Sequence, residues 1–227
     1  MTPTRIVQSP EGWLDLGAVQ AGTLAAGRRY QQDAFACGDL LWAVADGMGG
    51  HRDGAVAARI ALEVLCRTID GPVDEESLYA AFSAANAAVL ELAEPGEMRP
   101  PGSTLVAAVR RTGGGLLVAS SGDSRAYLVR ANGRCVQYTD DHEDPSGALT
   151  AYLGDPRSEG VHVDVHAVPA ENGLKVLLCS DGLFGHIEHA DLEDLLRGGF
   201  RHLLASAAAT SRDNVTALLL DLDLLPV

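Results

Sequence analysis

The sequence predicts an α+β layered domain, with helix pairs and antiparallel strands arranged in blocks. Two observations carry this. Apolar residues recur at helical spacing in two separate blocks, and between the blocks the period shortens to that of brief strands divided by turn residues. The 227 residues, 47% of them hydrophobic, are enough for one substantial core. No internal repeat or low-complexity linker divides them, so a single domain over 1–227 is expected.

Leu41–Asp46 is a continuous apolar run of strand length. It stops at a carboxylate and then at three glycines within four positions, in AVADGMGGH (Ala43–His51). Ala58, Leu62, Leu65 and Ile69 then recur at helical spacing, so the glycine turn feeds a helix of about four turns. A second helix follows: Leu78, Ala81, Phe82, Ala85, Val89 and Leu92 share a face, acids crowd the first turn, and Pro95-Gly96 ends it. The runs STLVAAVRR, GLLVASS, RAYLVR, RCVQYT, VHVDVHAV and LKVLLCS come next. They are divided by TGGG, SGDS, ANG and AENG, turn signals that predict an antiparallel meander. Residues 190–209 read as two short helices broken at Gly198-Gly199, and NVTALLLDL as a final strand.

Composition narrows the function. The chain carries 31 Asp and Glu against 17 Lys and Arg, a formal charge of −14. Such a field repels phosphate backbones and anionic lipid, which argues against nucleic acid and membrane surfaces as partners, and it suits divalent cations. No stretch approaches the roughly eighteen apolar residues of a membrane span, and MTPTRIVQSPEGWLDLG lacks the apolar centre of a signal peptide. A cytoplasmic location is expected. Cys37, Cys66, Cys135 and Cys179 are scattered without a CxxC pair and read as free thiols.

The placement of the acids is more informative than their number. Asp46 and Asp181 end apolar strands, Asp123 sits in the hairpin turn SGDSR, and Asp213 opens the last strand in SRDNVT. Any one of them is an ordinary turn former; together they predict a hard-cation site. Glycine after Asp46 and Asp181 bares the backbone, so that a carbonyl such as that of Gly47 can join the ligands. Oxygen-only ligation favours Mg²⁺ or Mn²⁺ over zinc.

In order along nearly the whole chain, RRYQQDA (Arg28–Ala34), ADGMGGH, GSTLVAAV, SGDSRAYLV, LLCSDGL and RDNVTALLL resemble the metal-dependent Ser/Thr protein phosphatases of the PPM, or type 2C, family in its bacterial form. DGMGG alone is fairly specific; all six in sequence are very specific. The resemblance implies a four-layer α-β-β-α sandwich, two antiparallel sheets flanked by antiparallel helix pairs. It implies hydrolysis of phosphoserine and phosphothreonine on proteins by a metal-activated water at a binuclear Mn²⁺ or Mg²⁺ centre, without a phosphoenzyme, in opposition to a Ser/Thr protein kinase. By position, Asp46 would bridge two ions, the Gly47 carbonyl would bind one, and Asp181 and Asp213 would complete the other. Asp123, with Asp181, matches the acid that holds a third, weaker ion. Gln32 and Asp33 fall where the family makes contacts through water or behind the direct ligands. Arg28 falls where it places the arginine that binds the substrate phosphate, a task its planar fork suits.

The departures from the pattern are also specific. Met48 stands where some relatives carry His, so the proton donor for the leaving oxygen stays open between His51, otherwise a helix-start residue, and a metal-bound water. HIEH (His186–His189) lacks zinc-motif spacing and reads as a solvated loop and helix start. Gln31 replaces the usual Asn, a longer amide expected to shift hydrogen bonds behind the site and weaken it while activity is kept, and Ala151 replaces an arginine in LTAYLG. Only EDPSGA separates His142 from Leu149, so the family's flap is nearly absent around 142–149. An open site is expected, with selectivity left to a docking partner or to the Glu143-Asp144 rim. Two other functions stay in view: a non-catalytic module of the same fold that binds a phosphoprotein or kinase, and a metal-dependent enzyme for small phosphoesters or nucleotides.

Overall fold

The structure is a computed structural model that describes residues 4–49, 53–94, 100–187 and 189–225. The chain opens with β1 (Arg5–Val7), β2 (Glu11–Asp15), β3 (Val19–Leu24), β4 (Asp33–Cys37) and β5 (Leu41–Met48). Helices α1 (Asp53–Thr68) and α2 (Glu75–Leu90) follow. The middle of the chain holds β6 (Gly102–Ser103), β7 (Leu105–Arg110), β8 (Leu116–Ser121), β9 (Arg125–Val129) and β10 (Cys135–Gln137). After β11 (Asp164–Ala167) and β12 (Lys175–Cys179) come α3 (Asp181–Phe184), α4 (His189–Arg197), α5 (Phe200–Thr210) and the last strand, β13 (Val215–Asp221).

The named strands pair antiparallel in two sheets. One runs β1-β4-β5-β7-β8-β11 with β6 beside β5, the other β10-β9-β12-β13-β3-β2. Three buried clusters define the layers: α1 and α2 against the first sheet, the two sheets against each other, and α3 to α5 against the second. This is the four-layer α-β-β-α sandwich.

Period-two alternation explains how one apolar run serves two layers. In β5, Leu41, Ala43 and Ala45 face α1 and α2, while Trp42 and Val44 face the other sheet. In β4, Ala34 and Ala36 face the helices and Phe35 and Cys37 the other sheet. The small alanines let α1 lie close. Its buried face, Ala57, Ala58, Ala61, Leu62 and Leu65, meets Leu78, Phe82 and Val89 of α2. Asp74 caps α2, its carboxylate accepting from Ser77 N at 2.8 Å.

The same alternation, continued to one end of the inter-sheet space, turns polar. Val44 is followed on its face by Asp46, Phe35 is preceded by Asp33, and β4–β5 register sets these two aspartates opposite each other. Thr104 precedes Val106, Ser180 follows Leu178, and Thr216 precedes Leu218 on that face. Thr23 follows Ala21 there, and Thr23, Thr104, Ser180 and Thr216 are all buried. A dry apolar slab thus ends in a polar floor drawn from both sheets.

Several elements differ from the pattern reading. TGGG and ANG do close hairpins, β7–β8 and β9–β10, but SGDS and AENG carry the chain from the first sheet to the second, so the strands form no single meander. An inter-sheet crossing and a hairpin use the same turn residues, and local composition cannot tell them apart. Strands β1 to β4 escape the pattern because they are short, and β2 and β3 are also interrupted by Gly and polar residues; in β3 a Cβ on Gly22 would lie 2.8 Å from Trp13 and Leu204 side-chain atoms. Helix α2 ends at Leu90, five residues before the expected Pro95-Gly96 stop, which lies outside the described residues.

Gly47 is required by packing between backbones. A Cβ there would lie 1.9 Å from the Gly54 carbonyl oxygen and 2.9 Å from that of Gln32. The substitution Gly47→Ala is therefore expected to cost about 3 kcal/mol, read as a lowered urea midpoint of the metal-free protein. An unchanged midpoint would contradict this seating of α1 on β5.

Candidate metal centre

The strand-end aspartates converge on the polar floor. Asp46 is not the last residue of its strand: β5 runs on to Met48 because Gly47 and Met48 pair with Ser103 and Gly102. Asp181 opens α3 behind Ser180 rather than ending β12, and Asp213 stands two residues before β13. Asp123 lies in the inter-sheet crossing between β8 and β9, not in a hairpin.

Their electrostatics follow from burial and like charge. Burial, then the Asp33, Asp181, Asp213 and Asp123 charges, hold the Asp46 carboxyl well above its ordinary range. Burial and the neighbouring Asp181 and Asp213 push Asp33 up to about 7, although hydrogen bonds from Ser180 and Thr216 pull the other way. Asp123 is pushed up to about 6, mainly by burial and then by Asp181, and Asp181 is raised by burial and Asp213. Asp33 Oδ1, Asp181 Oδ1 and Gln32 Nε2 are buried without a hydrogen-bond partner among the described residues. Clustered carboxylates with unpartnered oxygens fit hard divalent cations, which take several oxygen ligands and, for Mg²⁺, keep waters as well. The residues present suit the ions that the sequence implies.

The aspartates are held by groups that motif reading passed over. Ser103 Oγ donates to the Asp46 carbonyl at 3.2 Å, Thr104 N to the same oxygen at 2.9 Å, and Asp46 N to Thr104 Oγ1 at 3.1 Å. Leu153 of LTAYLG backs this clamp by exchanging backbone bonds with Ser103. Asn214 accepts from Gln32 N at 2.9 Å and donates to the carbonyls of Ala25 and Tyr30, tying the Arg28–Asp33 segment to β13. The signal for these residues was present: each lies beside a motif aspartate or on the inward face of a strand.

The remaining candidates sort as follows. Arg28, half exposed, is ion-paired with Asp213, and the Asp46 and Asp181 charges add to the field on its guanidinium. The Gln32 side chain turns to the start of α1, where a Cβ on Gly54 would lie 2.3 Å from Nε2. His51 lies outside the described residues; His186 is exposed before α4, as expected of a solvated loop. Residues 143–149 form a tight turn: Asp144 Oδ1 accepts from Ser146 N, Ser146 Oγ and Ala148 N, which holds its carboxyl below the ordinary range.

A second group of possible ligands stands beside the cluster. His142, His162 and Asp164 bring ligand atoms within 4.8 Å of one another. Its bonding argues against a metal. Gly122 N donates to His142 Nδ1 at 3.1 Å, so the neutral ring carries its proton on Nε2 and gives it to Asp164 Oδ2 at 2.8 Å. An ion on Nε2 would have to displace that proton while Nδ1 stays an acceptor. The group instead braces the turn that presents Asp123.

An inter-sheet carboxylate cluster in an α-β-β-α sandwich defines a class of metal-dependent hydrolase. The sequence profile described as protein phosphatase 2C matches residues 25–219, and the chain belongs to that family of metal-dependent Ser/Thr phosphatases. It is 30% identical over 216 residues to the serine/threonine phosphatase stp of Listeria innocua, covering 80% of this chain and 84% of that one. The PPM Ser-Thr phosphatase MsPP of Mycobacterium smegmatis, solved with cacodylate, superposes with a TM-score of 0.79 at 29% identity, covering 92% of this chain and 99% of that one. The catalytic domain of PstP, solved with two manganese ions, gives 0.72 at 26% identity, covering 96% and 97%.

Without ions, the like charges carry a stability cost with a definite sign. In the unfolded chain these carboxyls lose their protons near pH 4, whereas the fold retains the Asp33 proton to about pH 7 and that of Asp123 to about pH 6. Their contribution is thus most favourable at low pH and is lost as pH rises through that window. The gap in melting temperature between Mn²⁺-loaded and EDTA-treated protein is expected to widen from about pH 5 to about pH 7.5. A gap independent of pH, followed by scanning calorimetry, would contradict the clustering.

Proposed function

We propose that this chain is a single-domain phosphatase that hydrolyses phosphoserine and phosphothreonine esters of proteins, opposing a Ser/Thr kinase. Two Mn²⁺ or Mg²⁺ ions would be held by Asp46, the Gly47 carbonyl, Asp181 and Asp213, with a third, weaker ion at Asp123 and Asp181. The observation that carries this reading is the set of mutually repelling carboxylates, with buried unpartnered oxygens on Asp33 and Asp181, at the polar end of the sandwich. When bound, the ions supply positive charge for the phosphoryl oxygens and a water acidic enough to act as nucleophile near neutral pH.

The chain's own residues have distinct tasks. Asp46 is clamped at both its N–H and its carbonyl, so its carboxylate direction is fixed by two strands before any ligand arrives. Arg28 lies at the exposed edge, anchored to Asp213 through one nitrogen; its other N–H groups would grip the phosphoryl oxygens and orient the ester for in-line attack. Met48 has no proton to give, so the leaving oxygen is not protonated from that position. The closed turn at 143–149 leaves the rim low and spends the Asp144 carboxylate internally, so Glu143 is the acid left for a basic substrate segment. Among the described residues no helix is long and apolar enough to cross a membrane.

Phosphate release from a phosphothreonine peptide tests the reading. Wild-type protein with Mn²⁺ is expected to turn over, and EDTA or Asp46→Asn to reduce kcat/KM by about a thousandfold or more, the equivalent of several kcal/mol of charge stabilisation. Folded, Mn²⁺-bound wild type that releases nothing would favour the binding module instead.

Arg28→Ala gives a separate expectation. Loss of its charge-assisted bonds should lower kcat/KM by about tenfold to hundredfold while Mn²⁺ binding persists. Unchanged kinetics would remove Arg28 from the phosphate site.

A further inference from the structure

We infer that Gln31 is a positioning residue for the metal centre: it fixes the direction of a buried chain of hydroxyl groups that ends on Asp33. The inference rests on the reading of Asp33 as part of the ion-binding centre.

A backbone N–H can only donate. Asp33 N donates to Gln31 Oε1 at 3.0 Å, which fixes the orientation of the side-chain amide. Its NH₂ must then point away from Asp33, and Nε2 donates to Thr23 Oγ1 at 2.7 Å. Thr23 Oγ1 lies 2.7 Å from Thr216 Oγ1, and taken alone either hydroxyl could be the donor. Both residues are fully buried, so neither proton can be left to water. Thr23 Oγ1 already accepts from Gln31, and its one other hydrogen-bond partner among the described residues is Thr216 Oγ1. It must therefore donate to Thr216, whose backbone N–H in turn bonds Ser180 Oγ, the group that holds Asp33 Oδ2. One assignment satisfies every member.

Ser180 is a donor with its own direction fixed. Its Oγ accepts from Thr216 N at 3.1 Å and donates to Asp33 Oδ2 at 2.7 Å. The carboxylate is gripped at Oδ2 while Oδ1 stays buried and unpartnered among the described residues. Gln31 thus works through a ring of bonds that leaves Asp33, returns through its own N–H, and spans β3, β4 and β13. The length of the side chain is part of the device. Asn in this backbone position is one methylene shorter and could not reach both Asp33 N and Thr23.

The test uses the full chain and the metal alone. Mn²⁺ affinity is measured by electron paramagnetic resonance of the free ion for wild type, Gln31→Met, Thr23→Val and the double variant, with melting of the metal-free proteins as a folding check. Thr23 bonds to Gln31 and Thr216 and not to Asp33 among the described residues, so Thr23→Val interrupts the chain without touching its end and decides the matter if Gln31→Met does not fold. Each single change is expected to weaken Mn²⁺ binding about tenfold, as loss of groups supporting a metal ligand does. The double variant should be no weaker than either single one, because the residues act as one unit. Gln31→Asn should behave as Gln31→Met. Folded single variants that bind Mn²⁺ within about twofold of wild type, or effects that multiply to about a hundredfold, would overturn the inference. Wild type that binds no Mn²⁺ would instead overturn the metal-centre reading on which it stands.

Discussion

The structure depends on holding several carboxylates together at the end of a dry core. Asp33, Asp46, Asp123 and Asp181 each feel burial and at least one like charge, and both effects favour the protonated form. A single strand or loop would relax by turning its acids to water. Here Asp33 and Asp46 face each other in register inside a sheet, with the second sheet over them, so relaxation would require parting the layers. The repulsion is stored where a cation would relieve it.

That requirement accounts for the density of hydroxyls around the acids. A buried carboxylate needs donors, yet a donor with a positive charge would compete with the ions. Ser and Thr meet both conditions: Ser103 and Thr104 hold the Asp46 backbone, and Ser180, seated by Thr216 N, holds the Asp33 side chain. The one cation in direct contact with the motif acids is Arg28 among the described residues, and it stands at the exposed rim, where it can serve a substrate without neutralising the interior. The glycines belong to the same plan in a different way from the one the bare motif suggests. Gly47 and Gly182 admit neighbouring carbonyls, with 1.9 Å left to a hypothetical Cβ at each, and so bring α1 and β13 close against the site.

How much of this was legible in the sequence depended on whether a feature was local. Asp46 and Asp181 could be read because each follows an apolar run and precedes a glycine, and the two long helices could be read from their faces. The destination of a turn could not: Gly122-Asp123 looks like a hairpin, but β8 and β9 belong to different sheets. Likewise Asn214, Thr216 and Thr23 carry no local mark of their role, which comes from strands paired across nearly the whole chain. Gln31 was legible as a departure but not as a fitted part. Its value lies in two bonds whose partners, Asp33 N and Thr23, are set by the β3 and β4 layers.

The supports of the individual acids meet at one hydroxyl: Thr104 Oγ1, which accepts from Asp46 N, lies 2.7 Å from Ser124 Oγ in the Asp123 turn. Asp46 is held by Ser103 and Thr104 and Asp33 reaches across to Ser180 of the second sheet's side, whereas Asp123 lies in a turn whose Gly122 is also held by His142, itself held by Asp164 at the edge of the first sheet. A disturbance at the edge strand or in the short 143–149 turn therefore reaches the Asp123 turn before it reaches the paired aspartates of the interior. From there the one route inward through side-chain bonds among the described residues is Ser124 to Thr104, so the bond between these two hydroxyls is what couples the outer acid to the Asp46 backbone.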